Sequence, residues 1–142
     1  MRLLNPSPGE ILDRLSILEL KIAASKKLDR DSTHFEAEKA SLDEVFRNWE
    51  NGLIEDCCGD EDMYDKKRET IAYNRNGLAA INALLWQAED NVRETPDTSV
   101  FKLAILCKQI VRLNDARAKF VRQLDLLYGI KDGPEKLHMV AK

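Results

Sequence analysis

The sequence predicts an all-α fold: an elongated antiparallel bundle of four main helices in a single domain. Three observations predict it. Apolar residues recur at steps of three and four along most of the chain, which is the spacing of one helix face. Hydrophobic residues make up 44% and charged residues 33%, with only six Gly, four Pro and few aromatics; that mix favours helices over sheets. The breaks between the periodic stretches are short and carry capping residues.

The 142 residues fit one domain of common size. A chain of this length buries roughly two thirds of its unfolded surface and needs neither disulfides nor metal to fold. The formal net charge is −3 with no basic cluster, which argues against a nucleic-acid binder. No apolar run approaches the roughly 20 residues of a membrane helix. Met1–Glu10 carries too short an apolar core for a signal peptide. Three cysteines, Cys57, Cys58 and Cys107, do not make a disulfide framework. A reduced, cytoplasmic protein is the expectation. Cys107 lies in an apolar helical stretch and reads as a small core residue. Cys57-Cys58 have no His or third Cys near in sequence, so the metal-ligand spacing is missing.

The first helix is expected over about 8–27. Ser7 caps it, Pro8 suits its first position, and Glu10 completes a capping box. Ile11, Leu12, Leu15, Leu18 and Ile22 form its apolar arc, and on a helical wheel Glu19 falls inside that arc. Asp13 falls on the far side. Ile17 and Leu20 lie outside the arc, a sign of cover on more than one side. Asp29–Ser32 is a polar break. The second helix is expected over about 33–51, with Phe35, Leu42, Val45, Phe46 and Trp49 as its stripe and Asn51-Gly52 as its stop. Leu53–Asp62 then reads as an acidic loop without the spacing of a calcium-binding loop.

The third helix is expected over about 61–94. Asn76-Gly77 is a turn signal in its middle, yet Tyr64, Ile71, Leu78, Leu85 and Val92 keep phase across it. One helix with a weak point is the reading, the Gly costing roughly 1 kcal/mol against Ala and admitting a close approach by a neighbouring backbone. Thr95-Pro96 is a tight connection. The fourth helix is expected over about 99–128, with Leu103, Leu106, Ile110, Leu113, Phe120, Leu124 and Leu127 facing in and Arg117 on the same line. Residues 129–142 form a tail with one helical turn at Glu135–His138.

Polar residues on these faces are the candidates for function. Asn82, Trp86, Glu89 and Arg93 share one side of the third helix at steps of four and three. They are either a polar lock between helices or the wall of a site. Glu89 and Arg93 also have the spacing of a surface ion pair. Antiparallel packing of the first and fourth helices puts Glu19 near the level of Arg117, and these two are expected to pair. Asn114 flanks Arg117. The alternative is a pocket in which Arg117 grips a carboxylate or phosphate. His34 and His138 stand alone, and no P-loop, dinucleotide fingerprint or His-Glu-x-x-His motif is present.

Three blocks carry a resemblance: Pro8-Gly9-Glu10-Ile11-Leu12-Asp13-Arg14-Leu15-Ser16-Ile17-Leu18-Glu19-Leu20-Lys21, then Asn82-x-x-Leu85-Trp86-x-x-Glu89-Asp90-x-x-Arg93, then Asn114-Asp115-x-Arg117-Ala118. Together they resemble a family of short bacterial proteins known only as a domain of unknown function. The resemblance implies an all-helical fold and supplies no activity. Its motif residues coincide with the polar residues that periodicity singles out.

Two functions follow as expectations. The first is a non-catalytic binding or interaction module. Its partner is a protein or a second copy, through the second or third helix, or a small anionic ligand at Arg93 and Arg117. Its candidate cluster is Glu10, Glu19, Asn82, Trp86, Glu89, Arg93, Asn114 and Arg117, and it needs no cofactor. The second is an all-α, Mg²⁺-dependent nucleotide pyrophosphohydrolase, with Glu10-x-x-Asp13 and Glu89-Asp90 as weak metal candidates. That class pairs Glu-x-x-Glu with Glu-x-x-Asp, and only the first block approaches such a motif.

Overall fold

The computed structural model describes residues 6–131. Four helices follow in order: α1 (Pro8–Lys27), α2 (Thr33–Asp56), α3 (Glu61–Glu94) and α4 (Val100–Leu127). They form an all-α bundle. The helical turn expected at Glu135–His138 lies outside the described residues.

The start of α1 follows from its sequence. The Glu10 backbone N–H donates to Ser7 Oγ at 3.2 Å, and the Ser7 N–H donates back to Glu10 Oε1 at 2.9 Å. Two backbone donors that a helix start leaves orphaned are thereby satisfied. A third, the Gly9 N–H, donates to Asp125 Oδ1 of α4 at 2.7 Å. That bond sets α1 against the far end of α4, so the two run antiparallel. α3 also runs opposite to α4: Gly77 lies against the Phe120 ring, and a Cβ built on Gly77 would stand 2.5 Å from two ring carbons. The glycine admits a ring rather than a backbone. α3 is unbroken across this point for 34 residues, about 50 Å at 1.5 Å per residue.

α1 touches the other three helices. Its leucine arc enters a core with Phe46, Leu53 and Cys57 of the α2 end, Ile71 and Leu78 of α3, and Leu124 and Tyr128 of α4. Leu18, Leu78 and Leu124 are fully buried, and burying each is worth about 1.5–3 kcal/mol. The edge of the Tyr128 ring meets Phe46, and its hydroxyl donates to Glu50 at 2.9 Å.

Several expectations are corrected. α2 does not stop at Asn51-Gly52 but continues to Asp56. Leu53 and Cys57 are buried, at 2% and 4% exposure, and that burial outweighs the roughly 1 kcal/mol cost of a helical Gly. The chain turns at Cys57–Asp60 instead, where Gly59 takes φ +80° and the Asp60 side chain caps α3. The expected acidic loop is therefore mostly helix. Val45 is partly exposed and Cys107 is exposed, because helix α2 and the first half of α4 each have neighbours on too few sides to cover the whole predicted stripe.

Glu19 is exposed and does not pair with Arg117. It stands at openings between α1 and α2 and between α1 and α3. The partner of Arg117 is Asp13. A one-arc wheel fails for α1 because the side opposite the leucines is also covered, by α3 and α4.

Candidate functional site

Asp13 sits one turn beyond the start of α1, on the side facing α3 and α4. The Arg117 Nε donates to Asp13 Oδ1 at 2.9 Å and Oδ2 at 3.1 Å, and its Nη2 donates to Oδ2 at 2.5 Å. This is a fork-to-fork pair, the strongest geometry open to a guanidinium and a carboxylate. Hydrogen bonding to Asp13 comes first, with the nearby charges of Asp13 and Glu89 added; together they outweigh desolvation and raise the Arg117 pKa above its ordinary value. The Asp13 side chain is 15% exposed and that of Arg117 is 32% exposed, so part of the Arg117 side chain remains accessible.

Asn82 of α3 completes the arrangement. Its Nδ2 donates to Asp13 Oδ1 at 2.9 Å and to Ser16 Oγ at 2.6 Å. Ser16 sends its own proton to the Asp13 carbonyl at 2.9 Å, which leaves its oxygen free to accept. Both amide protons of Asn82 are thus spent within the protein, and its orientation is fixed. The residue is 3% exposed, yet its amide oxygen takes no bond among the described residues and is not sealed from solvent.

Above this base a cleft of about 330 Å³ opens between α1, α3 and α4. From α1 come Ile17, Leu20 and Lys21. From α3 come Asn82, Leu85, Trp86, Glu89 and Arg93. From α4 come Ile110, Asn114 and Arg117. The volume lies in the range of small-ligand sites, and apolar walls with a few placed polar groups are their usual lining. The charges are nearly balanced. Asp13 faces Arg117, and Asp90 accepts from Arg93 Nη2 at 2.7 Å. Lys21 Nζ lies 5.5 Å from the Phe35 ring centroid.

Six of the eight candidate residues line this one cleft: Asn82, Trp86, Glu89, Arg93, Asn114 and Arg117. Glu10 and Glu19 do not. Glu10 closes the capping box, and Glu19 stands at the openings between α1 and α2 and between α1 and α3. Arg93 bonds Asp90, three residues before it, rather than Glu89. The four carboxylates weighed as metal candidates have separate settings: Glu10 on the Ser7 N–H, Asp13 on Arg117, Asp90 on Arg93, and Glu89 on the cleft wall.

Sequence reading missed Asp13 as the partner of Arg117, and Ser16 and Lys21 stood within the first resemblance block without being picked out as candidates. The signal was present. Ile17 and Leu20 fall outside the leucine arc, and following their side of the helix back one turn reaches Asp13. Compared with known protein families, with curated proteins and with solved structures, the chain shows no significant match.

Proposed function

We propose that the protein is a non-catalytic binding module that holds a small anionic ligand in the cleft between α1, α3 and α4. One observation carries this reading. Arg117 spends one edge of its guanidinium on Asp13 and has no other partner among the described residues. Arg117 lines the cleft, and a guanidinium pre-set on one edge by a carboxylate is ready to take an anionic oxygen. Leu85, Ile110 and Trp86 supply apolar surface for the body of the ligand. The unpaired Cys57, Cys58 and Cys107 support a reducing compartment, the cytoplasm. Among the described residues, no helix is long and apolar enough to cross a membrane.

The pyrophosphohydrolase reading has weaker support. A metal-dependent hydrolase gathers carboxylates from two or more helices around Mg²⁺. Among the described residues, no group of three or more His, Cys, Asp or Glu side chains gathers in that way.

A thermal-shift screen with inorganic phosphate, nucleotides, sugar phosphates and sugar nucleotides tests the choice. A ligand at about a hundred times its dissociation constant stabilises by roughly 2.7 kcal/mol, a shift of several degrees for a domain of this size. The expected result is a shift that needs no Mg²⁺ and is lost in Arg117→Gln. A shift that appears only with Mg²⁺ and is lost in Glu89→Gln moves the assignment to the enzyme.

A second reading rests on a different observation. Val100, Ala104, Cys107 and Val111 are exposed and spaced by four, three and four along α4, with Phe101 81% and Ile105 48% exposed beside them. That is the seam spacing of paired helices, and it suits a second copy of the chain. The sequence reading looked for self-association on the second or third helix; the apolar seam is on α4. Sedimentation equilibrium should show a dimer that Val111→Lys dissociates. A monomer at every concentration contradicts this reading.

A further inference from the structure

We infer that the ligand of the cleft is a hydroxylated acid, with an acid oxygen on Arg117 and a neighbouring hydroxyl on the Asn82 amide oxygen. The inference rests on the binding reading above and adds the class of ligand. Its starting point is the direction of the Asn82 amide. Asp13 and Ser16 take both N–H groups on one side, so Oδ1 points away from them. That oxygen accepts from no group among the described residues and keeps contact with solvent, so it is open to a donor from a bound ligand. Asn82 and Arg117 both line the cleft, and the oxygen, turned away from Asp13 and Ser16, is assigned to that opening.

Asp13 ties the two groups together. Its Oδ1 accepts from both Asn82 Nδ2 and Arg117 Nε, each at 2.9 Å. Asn82, with a free acceptor oxygen, and Arg117, with donors to spare, are therefore neighbours on one carboxylate oxygen. A simple anion satisfies the donor and meets the acceptor with an unfavourable lone pair. A neutral alcohol satisfies the acceptor and wastes the charge. A group that offers both, an acid with a hydroxyl beside it, satisfies the pair.

The rest of the lining agrees. Glu89 adds an acceptor for further hydroxyls, and Asn114 adds both a donor and an acceptor. Asp13 and Asp90 offset the charges of Arg117 and Arg93. Glu89 on the same wall repels the added negative charge of a polyphosphate. Trp86 presents an aromatic surface beside these groups, which suits the C–H face of a sugar ring. A monophosphorylated sugar or a sugar acid is the chemistry that fits.

Isothermal titration of the full chain tests this with five probes: glucose 1-phosphate, glucose 6-phosphate, glucuronate, sulfate (an anion with no hydroxyl to donate) and leucine. The expected result is that at least one of the three sugar acids binds about tenfold or more tighter than sulfate, as for a hydrogen-bonded against an unpaired group. Arg117→Gln, with its fold verified by circular dichroism, loses that binding. Sulfate binding as tightly as the best sugar acid overturns the inference and leaves the anion-binding reading standing. Leucine binding more tightly than every sugar acid also overturns it, because the donor to Asn82 is then an ammonium. No binding by any probe overturns both.

Discussion

Where α1 begins and α4 finishes, Ile11, Leu12, Leu15, Leu78 and Leu124 are all 3% exposed or less. Where α3 finishes and α4 begins, Phe101 is 81% exposed, Leu84 is 54% exposed, and a cleft stands open. The two ends share α1, α3 and α4, so helix propensity does not separate them. Cover does. At the first end the final turns of α2 bring Phe46, Leu53 and Cys57 into the core. At the second end α2 meets α1 alone, through Lys26, Glu36 and their neighbours. One end holds the fold by filling space. The other leaves polar groups in fixed positions with room above them, which is what a binding site requires.

The largest expected effect is at the filled end. Leu124→Ala should cost about 2–5 kcal/mol in urea unfolding, the range for a fully buried leucine. Leu84→Ala, at the open end, should cost no more than about 0.5 kcal/mol. Equal losses would break the comparison.

Alkaline unfolding should also report on the filled end. Burial, followed by the Glu50 charge and hydrogen bond, raises the Tyr128 pKa. For a group whose folded pKa is raised, the contribution is complete below the unfolded value, about 10 for Tyr, and is lost as pH rises beyond it. Stability measured from about pH 9 to pH 11.5 should fall in the wild type and fall less in Tyr128→Phe. Parallel curves would contradict this.

Gly77→Ala joins the two ends, because Phe120 packs over the bare backbone of α3. Alanine normally stabilises a helix by about 1 kcal/mol over glycine. Here it should destabilise by about 1–3 kcal/mol, the cost of overpacking, and Phe120→Leu should relieve most of that loss. A stabilising Gly77→Ala would show that the ring moves aside freely.

Asp13→Asn and Arg117→Met should each cost only about 1–2 kcal/mol, since the Arg117 side chain is a third exposed and solvent screens part of the pair. Together they should cost less than their sum. Additive losses in a double-mutant cycle would mean that the two do not act as a unit. The smallest effect is at the surface. Hydrogen bonding to Arg14, at 2.6 Å, holds Glu38 below the ordinary carboxylate range. The sign for a depressed carboxylate is stability present above the unfolded pKa and lost as pH falls through the folded one. Both side chains are 41% exposed, so Arg14→Met should remove no more than a few tenths of a kcal/mol at neutral pH. A loss near that of Asp13→Asn would contradict the exposed setting.

How far the sequence reached follows the same division. The ends of α3 were legible because its apolar phase runs unbroken for the whole helix, and Ser7 and Glu10 announced the start of α1. The end of α2 was not legible. Asn51-Gly52 is a local stop signal, and what overrides it is burial of Leu53 and Cys57 against helices distant in sequence. Six cleft residues were legible as polar side chains beside apolar faces. Asp13 was misassigned because a wheel drawn around one arc assumes one neighbour, and α1 has three. The direction of the Asn82 amide has no sequence signal at all, since it depends on Ser16 and Asp13 meeting it across two helices.

The central claim is that Asp13, Asn82 and Arg117 are set to bind a ligand rather than only to lock helices together. Trp86 reports on it directly. The chain has two tryptophans, and Trp49→Phe leaves Trp86, on the cleft wall, as the only one. Its fluorescence should change saturably on titration with the hexose phosphates, and Arg117→Gln should abolish the change while retaining the helical circular dichroism spectrum. Unchanged Trp86 fluorescence with every acid, beside strong Asp13–Arg117 coupling in stability, would contradict the claim and leave the network as a structural lock.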